Sequence, residues 1–291
     1  MVAILLRMIL IMKRLLLVGG LFLTGCSSGE EVDGPRATIV VSHAILGAVV
    51  KAAAPSDVFV EVLIPNGTEV HDFEPSAKDI EKLNNASLLV VNGFGFEEGL
   101  EAAIEARIDN GDAVFVAADH VVAPENDLIP ADDPHFFTSP EQMAQILPEL
   151  LSAIEELSVD GTANEDAVRS LLQEAMEAAN KADLSGQKVI TGHEFLGYFC
   201  AMTGCEIVGS VIDSLSTDAG PSAQHLAELN ALIEGDPSIV VVVEAGEATE
   251  VLEFLASADS NSVRELPIES LPDSGSYVDY VAGIAAALTR S

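Results

Sequence analysis

The stretch Asn164-Glu-Asp-Ala-Val-Arg-Ser-Leu-Leu-Gln-Glu-Ala-Met-Glu-Ala-Ala-Asn-Lys-Ala182 contains no Gly or Pro and is rich in Ala, Glu and Leu. These residues favour helices, so the stretch predicts about five turns, roughly 28 Å long at 1.5 Å per residue. A helix of this length is stiff enough to join two lobes. It decides the fold because the sequence on both sides of it has the same alternating pattern.

Short apolar runs alternate with segments of helical periodicity on either side of this helix, as in βα units on parallel sheets. On the N-terminal side we predict strands at 37–41, 58–64, 87–91 and 113–116, helices at 44–54, 77–83 and 97–107, and a helix from Ser139-Pro-Glu-Gln142 to about residue 156. On the C-terminal side we predict strands at 188–190, 206–211, 238–243 and 263–268, and helices at 194–202, 222–233, 247–256 and 276–288.

The predicted fold class is therefore α/β, with two lobes joined by a long rigid interlobe helix. Each lobe is a parallel β-sheet flanked by helices. We place the N-terminal lobe at 37–162, the linking helix at 163–185 and the C-terminal lobe at 186–291. Ligands of open parallel sheets bind beyond the carboxyl ends of the strands, so the cleft between the lobes is the expected binding site.

Residues 1–25 have the pattern of a bacterial lipoprotein export signal. Arg7, Lys13 and Arg14 form a basic start, an apolar run follows, and Leu23-Thr-Gly-Cys26 ends it. In such signals the cysteine is acylated and becomes the new N-terminus. A transmembrane helix starting at the first residue would place three cations in the span, each costing roughly 2.5 to 3.5 kcal/mol near its centre. We therefore predict an exported, lipid-anchored protein.

Translation starts at either Met1 or Met12, since Met12-Lys-Arg-Leu already begins a complete signal. Residues 26–36 read as a flexible tether between acylated Cys26 and the lobes. The anchored protein is expected at the outer face of the cell membrane or in the periplasm. Cys200 and Cys205 are the cysteines that remain, and either a disulfide or a buried pair of free thiols is consistent with their spacing.

The chain is strongly acidic, with 47 Asp and Glu against 13 Lys and Arg and a net charge of −34. Removing residues 1–25 takes away three cations and no anions, which makes the charge −37. This excess repels nucleic acid and anionic lipid. Because the acids are spread over helix faces, we interpret the charge as a general acidic bias, and the acidic segment at 121–133 as a solvated loop.

Three of the six histidines stand in turn-rich loops or at helix starts after predicted strands. They are His71 in Pro65-Asn-Gly-Thr-Glu-Val-His-Asp-Phe-Glu-Pro75, His135 in Asp132-Asp-Pro-His-Phe-Phe137, and His193 in Thr191-Gly-His-Glu-Phe-Leu-Gly-Tyr-Phe199. Neutral imidazole is the commonest protein ligand for divalent transition metals. Three imidazoles leave room for one more protein group, so we predict that they converge on a single dication.

These motifs, together with the tether and the two lobes, resemble the cluster A-I metal-binding lipoproteins of ABC importers, the zinc and manganese solute-binding proteins. The resemblance covers nearly the whole mature chain and implies that His71, His135 and His193 are ligands. Zinc members usually have histidine at the third position, where many manganese members have glutamate. The resemblance also implies a membrane permease and, indirectly, its cytoplasmic ATPase as partners.

The fourth ligand implied by the resemblance lies shortly before the last helix. Relatives have an aspartate in an Asp-Ser-Leu-like stretch, and here Ile268-Glu269-Ser-Leu271 occupies that place. Glu269 is therefore the expected fourth ligand, with Glu244 and a water molecule as alternatives. Three nitrogens and one oxygen suit tetrahedral Zn²⁺, whereas Mn²⁺ prefers more oxygens, so zinc is the predicted cargo and manganese the alternative.

Other polar residues near the motifs receive structural interpretations. Glu74 and Glu194 stand next to ligands and are expected to orient imidazole rings. His43 starts a helix, where a polar residue is ordinary, and His120 and His225 read as surface residues.

The predicted function is an extracytoplasmic, monomeric receptor that captures a dication between two lobes and delivers it to a permease. A zinc hydrolase is the first alternative, because a non-coordinating Glu269 would leave an open metal position. No His-Glu-x-x-His motif is present, however. A surface adhesin is the second alternative, although the chain has no Trp and three Tyr.

Overall fold

Two parallel four-stranded sheets organise the protein in a computed structural model that describes residues 37–125, 129–159, 161–212, 222–245 and 263–289. The first sheet has the order β2-β1-β3-β4 and the second has the order β6-β5-β7-β8. The strands are β1 Thr38–Val41, β2 Phe59–Val62, β3 Leu88–Val91, β4 Val114–Val116, β5 Lys188–Thr191, β6 Glu206–Ser210, β7 Val240–Glu244 and β8 Val263–Leu266. The α/β class is confirmed, and all eight predicted strands occur.

The strand pairs within each sheet are parallel, as βα connections require. The helices are α1 Ala44–Ala53, α2 Ala77–Asn85, α3 Glu101–Asn110, α4 Pro140–Gln145, α5 Leu147–Glu155, α6 Glu165–Asn180, α7 Gly197–Thr203, α8 Ala223–Gly235 and α9 Tyr277–Leu288. Short 3₁₀ turns cover Glu98–Leu100, Ala117–His120 and Pro134–Thr138. Among the described residues, no helix combines the length and the apolar character needed to cross a membrane.

The long helix predicted at 164–182 is α6. Its buried face consists of Val168, Leu172, Ala175 and Ala179, at helical spacing. This face packs against α9 of the second lobe and against α1 and α4 of the first. The helix therefore contributes to both lobes instead of crossing solvent between them.

A single apolar core runs from the first sheet through α6 into the second lobe. A smaller core covers the other face of the second sheet. Strand β7 is buried on both faces, because Val240 and Val242 join the large core while Val241 and Val243 join the small one. Residues 36–291 form one compact unit, so the two lobes share most of their apolar interior.

Three predicted helices differ from the structure. The helix predicted from Ser139 to residue 156 is two helices, because Pro148 lacks the N–H of a continuous helix and instead occupies the first turn of α5. The helix predicted at 97–107 begins with a 3₁₀ turn, and α3 continues to Gly111, whose φ of 77° ends it. The helix predicted at 194–202 starts only at Gly197.

Several predictions lie outside the described residues. They concern the export signal, Cys26, the tether and the helix at 247–256. The lobe boundaries at 37–162, 163–185 and 186–291 also stay predictions.

Candidate metal centre

The four predicted ligands follow the carboxyl ends of four different strands. His71 lies in the loop after β2, and His135 lies in the 3₁₀ turn after β4. His193 stands two residues after β5, and Glu269 three residues after β8. Each lobe thus directs two side chains toward the same region, as parallel sheets do at their binding edges.

The structure brings His71, His135 and Glu269 together. One donor atom from each lies within 4.8 Å of the others. His71 Nε2 is 3.4 Å from Glu269 Oε1, and the His71 and His135 ring centroids are 6.3 Å apart. A dication could contact all three donors after small side-chain adjustments, since zinc takes nitrogen and oxygen ligands at about 2.0–2.2 Å.

His193 lies beside this group, on the side of the second sheet, but it is not one of the residues whose donor atoms all lie within 4.8 Å of one another. Its ring centroid lies 5.5 Å from that of His135, and its Nε2 lies 3.9 Å from Glu244 Oε2. The three imidazoles are therefore neighbours in space, although more than fifty residues separate each from the next in the chain. That they and Glu269 coordinate a metal stays a prediction.

Burial explains why this group favours a cation. His135, His193 and Glu269 are 0%, 1% and 4% exposed. Within the described residues, His135 Nε2, Glu269 Oε1 and both ring nitrogens of His71 are buried without a hydrogen-bond partner. Each buried unsatisfied polar atom costs roughly 1–3 kcal/mol. A dication coordinated by these atoms would remove that cost, so the donors present fit a metal.

The loop that carries His135 fixes the orientation of its ring. Asp133 Oδ1 accepts hydrogen bonds from the His135 backbone N–H at 2.9 Å and from ring Nδ1 at 2.8 Å. With Nδ1 as donor, the lone pair is on Nε2, which is the unsatisfied atom. Asn92 Nδ2 donates to Pro134 O at 2.9 Å and Tyr198 Oη donates to Asp133 O at 3.3 Å, so both lobes hold this turn.

Asp133 corrects the interpretation of 121–133 as a solvated loop, since its side chain is fully buried. The prediction that Glu74 orients an imidazole is not supported. Glu74 is exposed, and no hydrogen bond or ion pair given by the described residues joins it to the three rings. Glu98 is the carboxylate next to His71, with Oε1 at 3.8 Å from Nδ1. Glu194 is half-buried in the turn after His193.

The sequence around Asp133 carries a local signal for its role. Asp-Pro is a common helix start, in which the Asp side chain caps the turn and Pro takes its first position. Asp133 does this for the 3₁₀ turn at Pro134–Thr138. No local signal identifies Glu98, because its contact with His71 depends on how two distant loops meet.

The loop that carries His71 packs closely against the 3₁₀ turn that contains Glu98. A Cβ at Gly99 would collide with the Phe73 carbonyl, so glycine permits this approach. Phe96 in the preceding loop lies edge-on to His71, with ring centroids 5.0 Å apart. The aromatic ring excludes water from one side of the centre.

Two of the histidines, His71 and His135, are held neutral by their surroundings. Burial, and then repulsion from His135 and His193, lowers the pKa of His71 to about 4. Burial also lowers the pKa of His135, although Asp133 opposes the shift. Neutral imidazoles keep a lone pair for a metal at neutral pH.

The pKa of Glu269 shifts in the opposite direction. Burial, repulsion from Glu244 and contact with Glu69 raise the pKa of Glu269 to about 10. Glu269 Oε2 accepts a hydrogen bond from the Val70 backbone N–H, across the cleft. Glu244 Oε1 accepts one from the Glu269 backbone N–H at 3.3 Å. Glu244 thus contacts the Glu269 backbone and lies near His193, which keeps it as the alternative ligand.

The other histidines lie apart from these donors. His43 is fully buried, with its ring 5.1 Å from that of Phe96 and 5.3 Å from that of Phe137. Burial lowers its pKa to about 3, so it is neutral. His120 and His225, which the sequence predicts to be surface residues, are partly exposed in the structure. His120 stacks on Phe115 at 4.8 Å, His225 Nε2 lies 2.6 Å from Ser210 O, and both are half-buried.

Cys200 and Cys205 form a disulfide in the structure. It joins α7 to the residue before β6, and both cysteines are buried. Of the two arrangements consistent with the sequence, this is the oxidised one.

The comparisons with known proteins agree with the fold and the motifs. The sequence model described as "ZnuA: Zinc-uptake complex component A periplasmic" matches residues 39–290. The zinc-binding lipoprotein AdcA of Streptococcus pneumoniae serotype 4 is 25% identical over 278 residues, covering 87% of this chain and 54% of AdcA. The manganese-binding lipoprotein MntA of Halalkalibacterium halodurans is 30% identical over 174 residues, which are 56% of each chain.

Among solved structures, the periplasmic zinc-binding protein TroA of Treponema pallidum has the same fold. Its TM-score is 0.70 at 21% identity, and the match covers 88% of this chain and all of TroA. The chain spans about half the length of the curated relatives AdcA and MntA, at 54% and 56%.

Proposed function

Because the chain belongs to the ZnuA family of periplasmic zinc-uptake components, we propose that it is an extracytoplasmic solute-binding lipoprotein that captures Zn²⁺ between its lobes and delivers it to an ABC permease. The observation that carries the proposal is the meeting of His71, His135 and Glu269, whose donor atoms lie within 4.8 Å of one another. His193 supplies the third imidazole, 5.5 Å from His135. The ring nitrogens of His71, Nε2 of His135 and Oε1 of Glu269 are buried without a hydrogen-bond partner among the described residues, which favours a dication at this position.

Zinc is the proposed cargo because the donor set contains three nitrogens and one oxygen, which suits tetrahedral coordination. Manganese is the alternative cargo, since Mn²⁺ prefers oxygen ligands and MntA is named as a manganese-binding lipoprotein. A competitive titration of the purified protein with both ions distinguishes them. Zinc as cargo requires tighter Zn²⁺ binding at the buried centre.

The proposed partners follow from the family. A membrane permease receives the metal, and a cytoplasmic ATPase powers the transfer through that permease. We propose that the protein is a monomer attached to the outer face of the membrane, or in the periplasm, through acylated Cys26. Nucleic acid is not a proposed partner, because a net charge of −34 repels it.

Release of the metal requires a change at the cleft, because His71 and His135 come from the first lobe while His193 and Glu269 come from the second. The shared core and α6 oppose a wide hinge motion. We therefore propose a small tilt of the lobes or a rearrangement of the loops at 65–71 and 267–273. Such a change separates the donors without unfolding either sheet.

Calorimetric titration with Zn²⁺ tests the proposal. His193→Ala removes one ligand and is expected to weaken zinc binding by more than the roughly 10- to 100-fold that loss of an outer partner costs. His120→Ala is the matched control, because its ring stacks on Phe115 and not on the centre. Equal zinc affinity in the wild type and in His193→Ala would show that His193 is not a ligand and would contradict the proposal.

We propose binding without catalysis. A hydrolytic zinc site keeps an open position for water, whereas Glu269 fills the fourth position here. The zinc-loaded protein is accordingly expected to leave generic ester and peptide substrates intact. Within the described residues nothing favours an adhesin.

A further inference from the structure

Two tyrosines hold the turn that carries His135 from both sides. Tyr198 Oη donates to Asp133 O at 3.3 Å, and Tyr277 Oη donates to Phe137 O at 3.0 Å. The two carbonyls stand two residues before and two residues after His135. Both tyrosines belong to helices of the second lobe, α7 and α9, whereas the turn follows β4 of the first sheet. The second lobe therefore holds a turn that the first lobe supplies.

The third tyrosine of the chain holds the segment that carries Glu269. Tyr280 stands three residues after Tyr277 in α9, and the two rings stack with centroids 6.1 Å apart. Tyr280 Oη donates to Ile268 O at 2.8 Å, one residue before Glu269. The start of α9 thus binds the segments of two proposed ligands, His135 and Glu269.

The three tyrosine hydrogen bonds are buried. Tyr198, Tyr277 and Tyr280 are 2%, 0% and 4% exposed. Burial also raises the pKa of each hydroxyl above its usual range, so all three remain protonated donors at neutral pH. Breaking a buried bond leaves a carbonyl without water as a replacement partner, which costs more than breaking an exposed bond. The segments that carry His135 and Glu269 therefore resist displacement.

The loop that carries His71 is held less firmly. The His71 side chain is 21% exposed, more than that of any other proposed ligand. Asn66, in the same loop, exchanges two hydrogen bonds with Leu271, and both are exposed. The buried bond from Val70 N–H across the cleft ends on Glu269, itself a proposed ligand. Because water replaces the partners of exposed bonds at little cost, this loop separates from the second lobe more easily than the His135 turn does.

We propose that the three tyrosines are positioning residues that keep the segments of His135 and Glu269 in one fixed frame, so that His71 is the ligand that leaves first when the metal is released. The inference rests on the proposed function, because it concerns the ligands assigned there. Of the two loops whose rearrangement could open the cleft, it selects the loop at 65–71.

Tyrosine-to-phenylalanine variants test the fixed frame, because Phe keeps the ring and removes only the hydroxyl. Tyr198→Phe and Tyr277→Phe are each expected to weaken Zn²⁺ binding about ten-fold in calorimetric titrations, at the lower end of the effect of outer partners of a ligand. Each is also expected to change the visible absorption spectrum of the Co²⁺-loaded protein, because that spectrum reports the geometry of the ligands. A purely structural role would lower the unfolding temperature and leave the spectrum unchanged.

Thr203→Val is the matched control. Thr203 Oγ1 donates to Phe199 O at 2.9 Å at the far end of α7, so this variant also removes a hydroxyl that donates to a backbone carbonyl. It is expected to keep the zinc affinity and the Co²⁺ spectrum of the wild type, because neither residue contacts a proposed ligand segment.

Asn66→Ala tests which ligand leaves first, because it removes both exposed bonds to Leu271. It is expected to speed the release of Zn²⁺ to an excess of chelator about ten-fold, the effect of losing two modest hydrogen bonds. The Co²⁺ spectrum is expected to stay that of the wild type, since the closed site keeps its ligands. Asn66 is exposed, so this variant remains informative if a tyrosine variant does not fold.

The inference is overturned if Tyr198→Phe and Tyr277→Phe match Thr203→Val in zinc affinity and Co²⁺ spectrum, or if Asn66→Ala releases zinc at the wild-type rate. Failure of the proposed function is seen separately, as absent zinc binding in the wild type.

Discussion

Asp133 shows at the scale of single residues how a buried charge is used. One oxygen of this carboxylate accepts two hydrogen bonds from His135, through the backbone N–H and ring Nδ1. The hydrogen bond from the backbone N–H fixes the turn at the end of the loop. The hydrogen bond from ring Nδ1 leaves the lone pair on Nε2, which faces the other donor atoms. The same oxygen atom therefore fixes the backbone turn and the tautomer of His135, a proposed ligand.

Asp133→Asn is expected to weaken zinc binding roughly 10- to 100-fold, the usual effect of changing an outer partner of a histidine ligand. The neutral amide still accepts hydrogen bonds, but it makes the imidazole a weaker base. Calorimetric titration measures the change. Asp132→Asn is a suitable control, because Asp132 is exposed and its φ of 63° is one that Asn tolerates. An Asp133→Asn variant with wild-type zinc affinity would contradict this role.

The three histidines could be predicted at this scale because each lies in a distinctive motif after an apolar strand. Glu98 could not. It is an ordinary exposed glutamate in an acidic chain, and its contact with His71 depends on how two distant segments meet. Contacts of this kind are set by tertiary packing and leave no local pattern.

At the scale of elements, the alternation of apolar runs and helical segments predicted all eight strands, since buried parallel strands are continuous apolar runs. Helix boundaries were less predictable. Residues 194–196 belong to the helix predicted at 194–202. In the structure, however, Phe195 N–H donates to His193 O at 3.1 Å in a turn, and α7 begins only at Gly197. Gly192 N–H donates to Val242 O at 2.8 Å, extending the pairing of β5 with β7 to the residue before His193. The binding loop therefore takes residues that local propensity assigns to the helix.

The disulfide between Cys200 and Cys205 belongs to the same element. It closes a short loop from α7 to β6, and loop-closure entropy gives such a crosslink about 2 kcal/mol of stability. The double variant Cys200→Ala, Cys205→Ala is expected to lose about that much free energy of unfolding in urea titrations. Zinc affinity is expected to stay within about three-fold, because neither sulfur belongs to the proposed zinc donor set.

Reduced wild-type protein is the matched comparison, because it lacks the crosslink and keeps both side chains. It should unfold at the same urea concentration as the double variant. Two reactive thiols in the native, unreduced protein would contradict the disulfide.

At the scale of the whole molecule, the two lobes are joined in three ways. The large core and α6 connect their interiors. At the cleft, Asn66 Nδ2 donates to Leu271 O at 2.9 Å, and Leu271 N–H donates to Asn66 Oδ1 at 2.7 Å. Gly67 N–H donates to Ser270 Oγ at 3.0 Å. These exposed bonds connect the loops that carry His71 and Glu269, so under the proposed function we expect them to break first when the metal is released.

The two-lobe arrangement was predictable because two series of βα units flank one long helix. The extent of the core that the two lobes share could not be predicted from the sequence. The apolar residues of α6 have the same helical spacing whether the helix packs against one lobe or against both. Its small residues Ala175 and Ala179 allow close packing against neighbouring helices. The sequence predicts a rigid spacer between the lobes, whereas in the structure this helix is part of both lobes.

X-ray absorption spectroscopy at the zinc edge of the protein loaded with one equivalent of Zn²⁺ tests the central claim most directly. We expect three imidazole nitrogens at about 2.0–2.1 Å and one carboxylate, because we propose His71, His135, His193 and Glu269 as the ligands of one metal ion. A first shell of oxygen atoms alone, or with a single imidazole, would contradict the claim that the two lobes bind the metal through these histidines.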